Sequence, residues 1–244
     1  MINILRFLYQ WIILAPIFIV ITFITAIIVM IMSPLFGSKF WGYYPPKWWS
    51  RLTCWLSLCQ IKSSGQENLD PKQSYVFVAN HQGSYDIFLV YGFLNHNIVW
   101  MQKQSLRKVP FVGFASETAG HVFVDNTNQN TRAITLKKAM ERVVGGVSMV
   151  IFPEGARTHT GKMSTFKKGA FYIAHEQKLP IVPLTINGPF DVMKRNTLKL
   201  KPGKLELIIH KPIPTDNISV DELHELINQT REIIQSALWE KYKN

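Results

Sequence analysis

The sequence predicts an α/β domain, a mixed β-sheet covered by helices, preceded by an N-terminal membrane-anchoring helical segment. Three observations predict it. Short apolar runs alternate with helical patterns from Tyr75 onward. Several of those runs are apolar at every position, as in strands buried on both faces. Between Arg6 and Lys39 there is no Lys, Arg, Asp or Glu. The polar, turn-rich stretch after Lys62 sets the boundary, so residues 1–62 read as the anchoring region and residues 63–244 as the α/β domain.

The anchor rests on the run from Trp11 to Met32, 22 residues broken only by Pro16, Thr22 and Thr25. As a helix it reaches roughly 33 Å, against about 30 Å of bilayer hydrocarbon. It is longer than a signal-peptide core and bulky where a cleavage site would need small residues. The following stretch, Phe40–Ile61, carries Trp41, Trp48, Trp49, Trp55, Tyr43 and Tyr44, with Lys47 and Arg51 placed to meet lipid phosphates. Tryptophan and tyrosine favour the headgroup level, where the ring is apolar and its N–H or O–H stays wet. The run either spans the bilayer or pairs with this second stretch and dips into one leaflet. In both cases Lys39, Lys47, Arg51 and Lys62 after the run, against Arg6 before it, put the C-terminal bulk on the cytoplasmic face of the membrane.

In the domain, Tyr75–Asn80, Ile98–Met101, His121–Val124, Ser148–Phe152, Ile181–Ile186 and Leu205–His210 read as strands. Ile87–Leu94, Thr131–Val144, Lys168–Gln177 and Val220–Lys241 read as helices, the last with an apolar stripe through Leu223, Leu226, Ile227, Ile233, Ile234 and Leu238. The net charge of +11 suits an acidic partner. The basic residues are scattered and follow no zinc-finger, RRM or basic-zipper pattern, so nucleic acid is not expected. Two cysteines, Cys54 and Cys59, are too few for a disulfide framework or a zinc site and read as plain thiols.

Four clusters lie at strand ends or in the loops after them, where α/β domains place their sites. In Asn80–Asp86, NHQGSYD, His81 and Asp86 flank a turn through Gly83. An alcohol needs a base to take its proton as it attacks a thioester, and imidazole has a pKa near operating pH. A nearby carboxylate fixes the tautomer and steadies the imidazolium. An H-x₄-D is equally what a surface histidine and a helix-capping aspartate leave behind. Ser84 lacks the G-x-S-x-G elbow of a serine nucleophile and reads as structural. Lys103–Gly113, KQSLRKVPFVG, offers Lys103, Arg107 and Lys108 as phosphate ligands or as a solvated basic face. Ile151–Thr158, IFPEGART, puts Glu154, Gly155 and Arg157 in a tight turn after a strand. Glycine permits close backbone approach, and a guanidinium grips phosphate in a fork; a Glu154–Arg157 turn salt bridge would leave the same residues. Lys167–Ala170, KKGA, sets two lysines at a helix start, ahead of the IVP strand with Pro183.

The order NHxxxxD, K-x₂-L-x₃-P-x₂-G, FPEG-x-R and IVP closely resembles the glycerolipid acyltransferase family, bacterial lysophosphatidic acid acyltransferases above all. In motif terms the resemblance covers about residues 62–200, and the apolar, aromatic N-terminus is similar to that family's membrane anchor. It implies transfer of a fatty acyl group from acyl-CoA or acyl-carrier protein to the sn-2 hydroxyl of 1-acyl-sn-glycerol 3-phosphate. His81 is then the base and Asp86 its partner, Lys103 and Arg157 hold the acceptor's phosphate, and Glu154 with Gly155 line its pocket. Similar enzymes transfer the acyl group directly, with no covalent intermediate, no metal and no further cofactor. Three positions depart from the pattern. Relatives usually read FPEGTRS where this chain has Ala156 and Thr158, and many carry Arg where it has Asn126. A different lysolipid acceptor, a non-catalytic lipid-binding scaffold and a His-Asp metallohydrolase are the alternatives; the last lacks H-E-x-x-H or comparable spacing.

Overall fold

The computed structural model describes residues 2–124 and 129–243; Asn126 lies outside them. The anchor is one long helix in three parts: α1 (Ile2–Leu8), a π-helical stretch (Tyr9–Leu14) and α2 (Ala15–Phe36). From Ile4 to Phe36 it is long and apolar enough to cross a membrane, with most of that surface exposed. Gly37, at a positive φ, ends it, and a short α3 (Ser38–Trp41) leads into α4 (Tyr44–Leu56).

Helix α4 is amphipathic. Ser50, Thr53 and Cys54 are buried, whereas Trp48 and Trp55 are 56% and 51% exposed; of the aromatics expected at an interface, these two and Tyr44 face outward, while Tyr43 is buried and Trp49 donates to Thr22 of the anchor. Of the two cations expected there, Arg51 is committed to protein, as is Lys39 just before that stretch. Arg51 donates to the Gly92 carbonyl and the Asn95 side chain, and Lys39 donates to the Gly145 carbonyl. The thiols of Cys54 and Cys59 are both free and buried.

The sheet has seven strands: β1 (Gln60–Ser64), β2 (Val76–Ala79), β3 (Ile98–Lys103), β4 (Val122–Val124), β5 (Ser148–Ile151), β6 (Ile181–Asn187) and β7 (Lys204–Ile209). Their order is β1-β7-β6-β2-β5-β3-β4. Strands β6, β2, β5, β3 and β4 are parallel; β7 runs antiparallel to β6 and carries β1 parallel to itself, which makes the sheet mixed. Strand β1 crosses the boundary expected after residue 62. It is polar and largely exposed, an edge strand without the apolar pattern that marks the others.

Alternation along the strands sorts side chains to two faces. Tyr75, Phe77 and Ala79 point to one face, where they meet Leu89 and Val90 of α5 (Tyr85–Phe93) and, beyond it, Cys54 of α4. Val76 and Val78 point to the other, against Phe171 and Ala174 of α8 (Gly169–Glu176) and Leu226 and Ile234 of α9 (Leu223–Ser236). Ala139 of α7 (Gln129–Arg142) joins that second face. Burying each large side chain contributes roughly 1.5–3 kcal/mol, and both faces of β2 do so. The anchor adds a third layer. Phe18 stacks edge-on to Phe88 of α5, Phe23 meets Phe111, and Ala26 and Val29 pack on Ala115 of α6 (Val112–Thr118).

Candidate active site

The parallel strands all deliver their carboxyl ends to one edge of the sheet, and β2, β5 and β3 deliver the motif residues there. Strand β2 hands the chain to Asn80, whose side-chain amide pairs in both directions with the backbone of Ile186 on β6. The next turn is tight: a Cβ on Gly83 would stand 2.9 Å from the Pro189 carbonyl oxygen. Helix α5 then starts at Tyr85, two residues before the sequence suggests, so Asp86 falls in its first turn. There a carboxylate is favoured by the aligned backbone dipoles.

Asp86 is fully buried. Its Oδ2 accepts from His81 Nδ1 at 2.6 Å, from the Gln82 N–H at 2.7 Å and from the Gly83 N–H at 3.0 Å. Three donors on one oxygen hold the carboxylate still, and with it the imidazole. Phe152, just past β5, stacks on the His81 ring at 4.0 Å between centroids and 9° between planes. With Nδ1 turned to Asp86 and one face covered, Nε2 is the free basic nitrogen. It makes no hydrogen bond among the described residues, and the side chain is 16% exposed.

The IFPEGART turn braces this histidine from both sides of its own backbone. Glu154 Oε1 accepts the His81 N–H at 2.7 Å, and the Thr158 N–H donates to the His81 carbonyl at 2.9 Å. Glu154 Oε2 accepts from both the N–H and the hydroxyl of Ser164, each at 2.8 Å. Burial pushes the Glu154 carboxyl above its usual range, with those donors opposing the shift. The carboxylate is thus spent on protein donors; in the wall where the resemblance places it, Glu154 acts as a brace. Gly155 sits at φ +76, and a Cβ there would meet the Lys167 amine at 2.7 Å. Glycine therefore permits both the left-handed turn and a cation laid over it.

Arg157 forms no salt bridge with Glu154. Its Nη1 donates to Ser84 Oγ beside the histidine turn, its carbonyl accepts from Arg195 Nη1 at 2.7 Å, and no carboxylate pairs with it among the described residues. Lys103 ends β3 opposite Val124, exposed at the same edge of the sheet. Arg107, by contrast, pairs with Glu117. Sequence reasoning missed the brace of His81, the Phe152 stack and the contacts of Ser84, Ser164 and Arg195. Only Ser84 carried a signal, through its place in the histidine motif. Among the described residues no three His, Cys, Asp or Glu side chains gather as a metal site requires.

A buried carboxylate orienting an imidazole with one open nitrogen, next to an unneutralised guanidinium, makes a site for base-assisted chemistry on an anionic substrate. Residues 60–187 match the acyltransferase family, and the chain belongs to it. The 1-acyl-sn-glycerol-3-phosphate acyltransferase of Saccharomyces cerevisiae is 32% identical over 183 residues, 74% of this chain and 60% of that protein. The human 1-acyl-sn-glycerol-3-phosphate acyltransferase alpha is 28% identical over 173 residues, 70% of this chain and 61% of its own length. The match thus spans about six tenths of these relatives. The crystal structure of the 1-acyl-sn-glycerophosphate (LPA) acyltransferase from Thermotoga maritima shares the fold, with a TM-score of 0.74 over 97% of both chains at 24% identity.

Proposed function

We propose that this protein transfers a fatty acyl group from an acyl thioester to the sn-2 hydroxyl of 1-acyl-sn-glycerol 3-phosphate, giving phosphatidic acid. The observation that carries this reading is the His81–Asp86 pair, locked at Nδ1 and open at Nε2, beside an Arg157 fork that no protein carboxylate neutralises. The names of the relatives supply the acceptor. His81 Nε2 takes the hydroxyl proton as the oxygen attacks the thioester carbonyl. The tetrahedral adduct then expels the thiolate, which recovers the proton from the imidazolium. Asp86 keeps the proton on Nδ1 and stabilises the charged ring. Arg157 and Lys103 hold the phosphate, Gly155 lets it approach, and Glu154 keeps the His81 backbone in place. The chemistry requires neither a metal nor a cofactor other than acyl-CoA or acyl-carrier protein as donor.

The exposed apolar face of the anchor and the outward Trp48 and Trp55 support a membrane location, and the basic residues after the run favour the cytoplasmic face for the domain. A single-chain lysolipid stays in the bilayer, so its enzyme must sit there too. The test is an assay of purified protein in liposomes with lysophosphatidic acid and both donors. His81→Ala should lose about 10²–10⁴-fold in rate while still binding lipid. A variant retaining more than about half of the parent's turnover would remove His81 from the base role.

A further inference from the structure

Resting on that reading, we propose that Gln10 is a positioning residue of the acceptor site: the N-terminal helix holds the turn bearing Arg157 through residues 195–200. The helix is π-helical from Tyr9 to Leu14, a local widening that is rare and frequently falls at functional sites. What it achieves here is visible in the side chains. Tyr9 donates its hydroxyl to the Leu56 carbonyl at 2.7 Å. Gln10 uses both ends of its amide on a segment nearly two hundred residues away in sequence. Its Nε2 donates to the Leu198 carbonyl, and its Oε1 accepts the Leu200 N–H at 3.1 Å.

The latched segment is not an arbitrary surface loop. It joins the carboxyl end of β6 to the start of antiparallel β7, which puts it at the catalytic edge of the sheet. From Leu198 the chain turns back tightly: the Thr197 N–H and hydroxyl both donate to the Lys194 carbonyl, and Asn196 is held at φ +59. Arg195 leaves this turn to donate to the Arg157 carbonyl, and the next residue, Thr158, donates to the His81 carbonyl. A run of four hydrogen-bonded steps thus leads from the anchor to the phosphate-binding turn and the base.

The far end of the anchor is tied as well. Lys39 donates to the Gly145 carbonyl and accepts at its own carbonyl from Asn97. Gly145 and Asn97 lie just before β5 and β3, at the opposite edge of the sheet. The helix is therefore fixed along the whole height of the domain, with Gln10 at the end where the chemistry occurs. An amide in an apolar helix only needs some hydrogen-bond partner. That its partner is the loop steering Arg157 is what assigns it a role in acceptor binding.

The experiment uses the full chain in liposomes and compares Gln10→Leu, Arg195→Met and the double variant with the parent. Gln10→Leu keeps the helix apolar and removes both latch bonds; Arg195→Met cuts the chain at its second link. Each should raise KM for lysophosphatidic acid about tenfold with kcat within about twofold. The double variant should be no worse than the poorer single, as for two links in one series. Turnover of a monoacylglycerol, which lacks the phosphate, should not change, and flotation with liposomes should be kept. Hydrogen exchange at the Thr158 amide should quicken in Gln10→Leu with no substrate present, a readout that stands even if the parent fails to use lysophosphatidic acid. Unchanged exchange at Thr158, multiplied losses in the double variant, or an equal loss on both acceptors would overturn the proposal. If Gln10→Leu does not insert, Arg195→Met decides by the same measures. Absence of turnover in the parent would fail the acceptor reading instead.

Discussion

Asp86→Asn tests the heart of the site with the smallest change in shape. Oδ2 of Asp86 takes three donors, His81 Nδ1, Gln82 N–H and Gly83 N–H, at 2.6, 2.7 and 3.0 Å, while Oδ1 is buried without a hydrogen-bond partner among the described residues. An asparagine can orient only one way. Its oxygen must face the three donors, which leaves its NH₂ in the position where Oδ1 has no partner. That orphaned donor costs about 1–3 kcal/mol of folding stability. A chemical loss adds to it. The bond to the imidazolium falls from a charge-assisted one, worth about 1.5–3 kcal/mol, to a neutral one of about 0.5–1.5 kcal/mol. At 1.36 kcal/mol per decade that difference of about 1–1.5 kcal/mol is roughly 5- to 13-fold in kcat. The amide oxygen still accepts from Nδ1, so the tautomer is kept and the loss stays below the roughly 10²–10⁴-fold of removing the base. The assay is acyl transfer to lysophosphatidic acid in liposomes at saturating acceptor, with thermal unfolding on the same samples. Since both residues serve one proton transfer, His81→Ala plus Asp86→Asn should be no slower than His81→Ala alone. If the double variant multiplies the two losses, or Asp86→Asn stays above about half of parental turnover, the coupling argued here is wrong.

Two further perturbations read other parts of the molecule. Arg157→Ala should raise KM for lysophosphatidic acid more than Lys103→Ala does, because Arg157 offers a rigid fork steadied at Ser84 and at its own carbonyl, whereas Lys103 is an exposed point charge; steady-state kinetics showing the reverse order would reassign the headgroup contact. Burial of the His121 imidazole lowers its pKa to about 4 from the ordinary 6.5. Between those values the unfolded chain takes up a proton that the folded chain refuses, so stability present above about pH 6.5 is lost as pH falls towards 4. His121→Gln should flatten that part of the profile, and parallel thermal-midpoint curves for the two proteins from pH 7 to 4.5 would contradict it.

The acidic turn after β5 is held by the chain's own donors. Glutamate after a strand end in a cationic site invites a role at the substrate, yet Glu154 spends both oxygens on the chain itself. One of those oxygens holds the His81 N–H, so Glu154 braces the backbone of the proposed base. The same logic places Ala156 and Thr158: the hydroxyl at Thr158 accepts the N–H of Thr160 and of Gly161, closing the turn locally. A second hydroxyl at Ala156 is not needed for that closure.

What the amino-acid sequence determined by itself was everything governed by local pattern. Runs apolar at each position marked β2, β5 and β6 because both faces of those strands are buried, and the charge-free N-terminus marked the anchor because no exposed helix in water keeps that composition. The His81–Asp86 pair was legible because the two residues lie five apart in one turn, close enough for spacing to speak. Strand β1 was not legible, since an exposed polar edge strand owes its conformation to pairing with β7 rather than to its own residues. The remaining features are contacts between segments far apart in the chain: Glu154 beneath His81, Arg157 against Ser84, Lys167 over Gly155, Gln10 on Leu198 and Leu200. Each depends on which strand ends the sheet brings side by side and on how the anchor lies across them. Hydrogen-bond geometry at that range is set by tertiary packing, and periodicity or spacing carries no record of it.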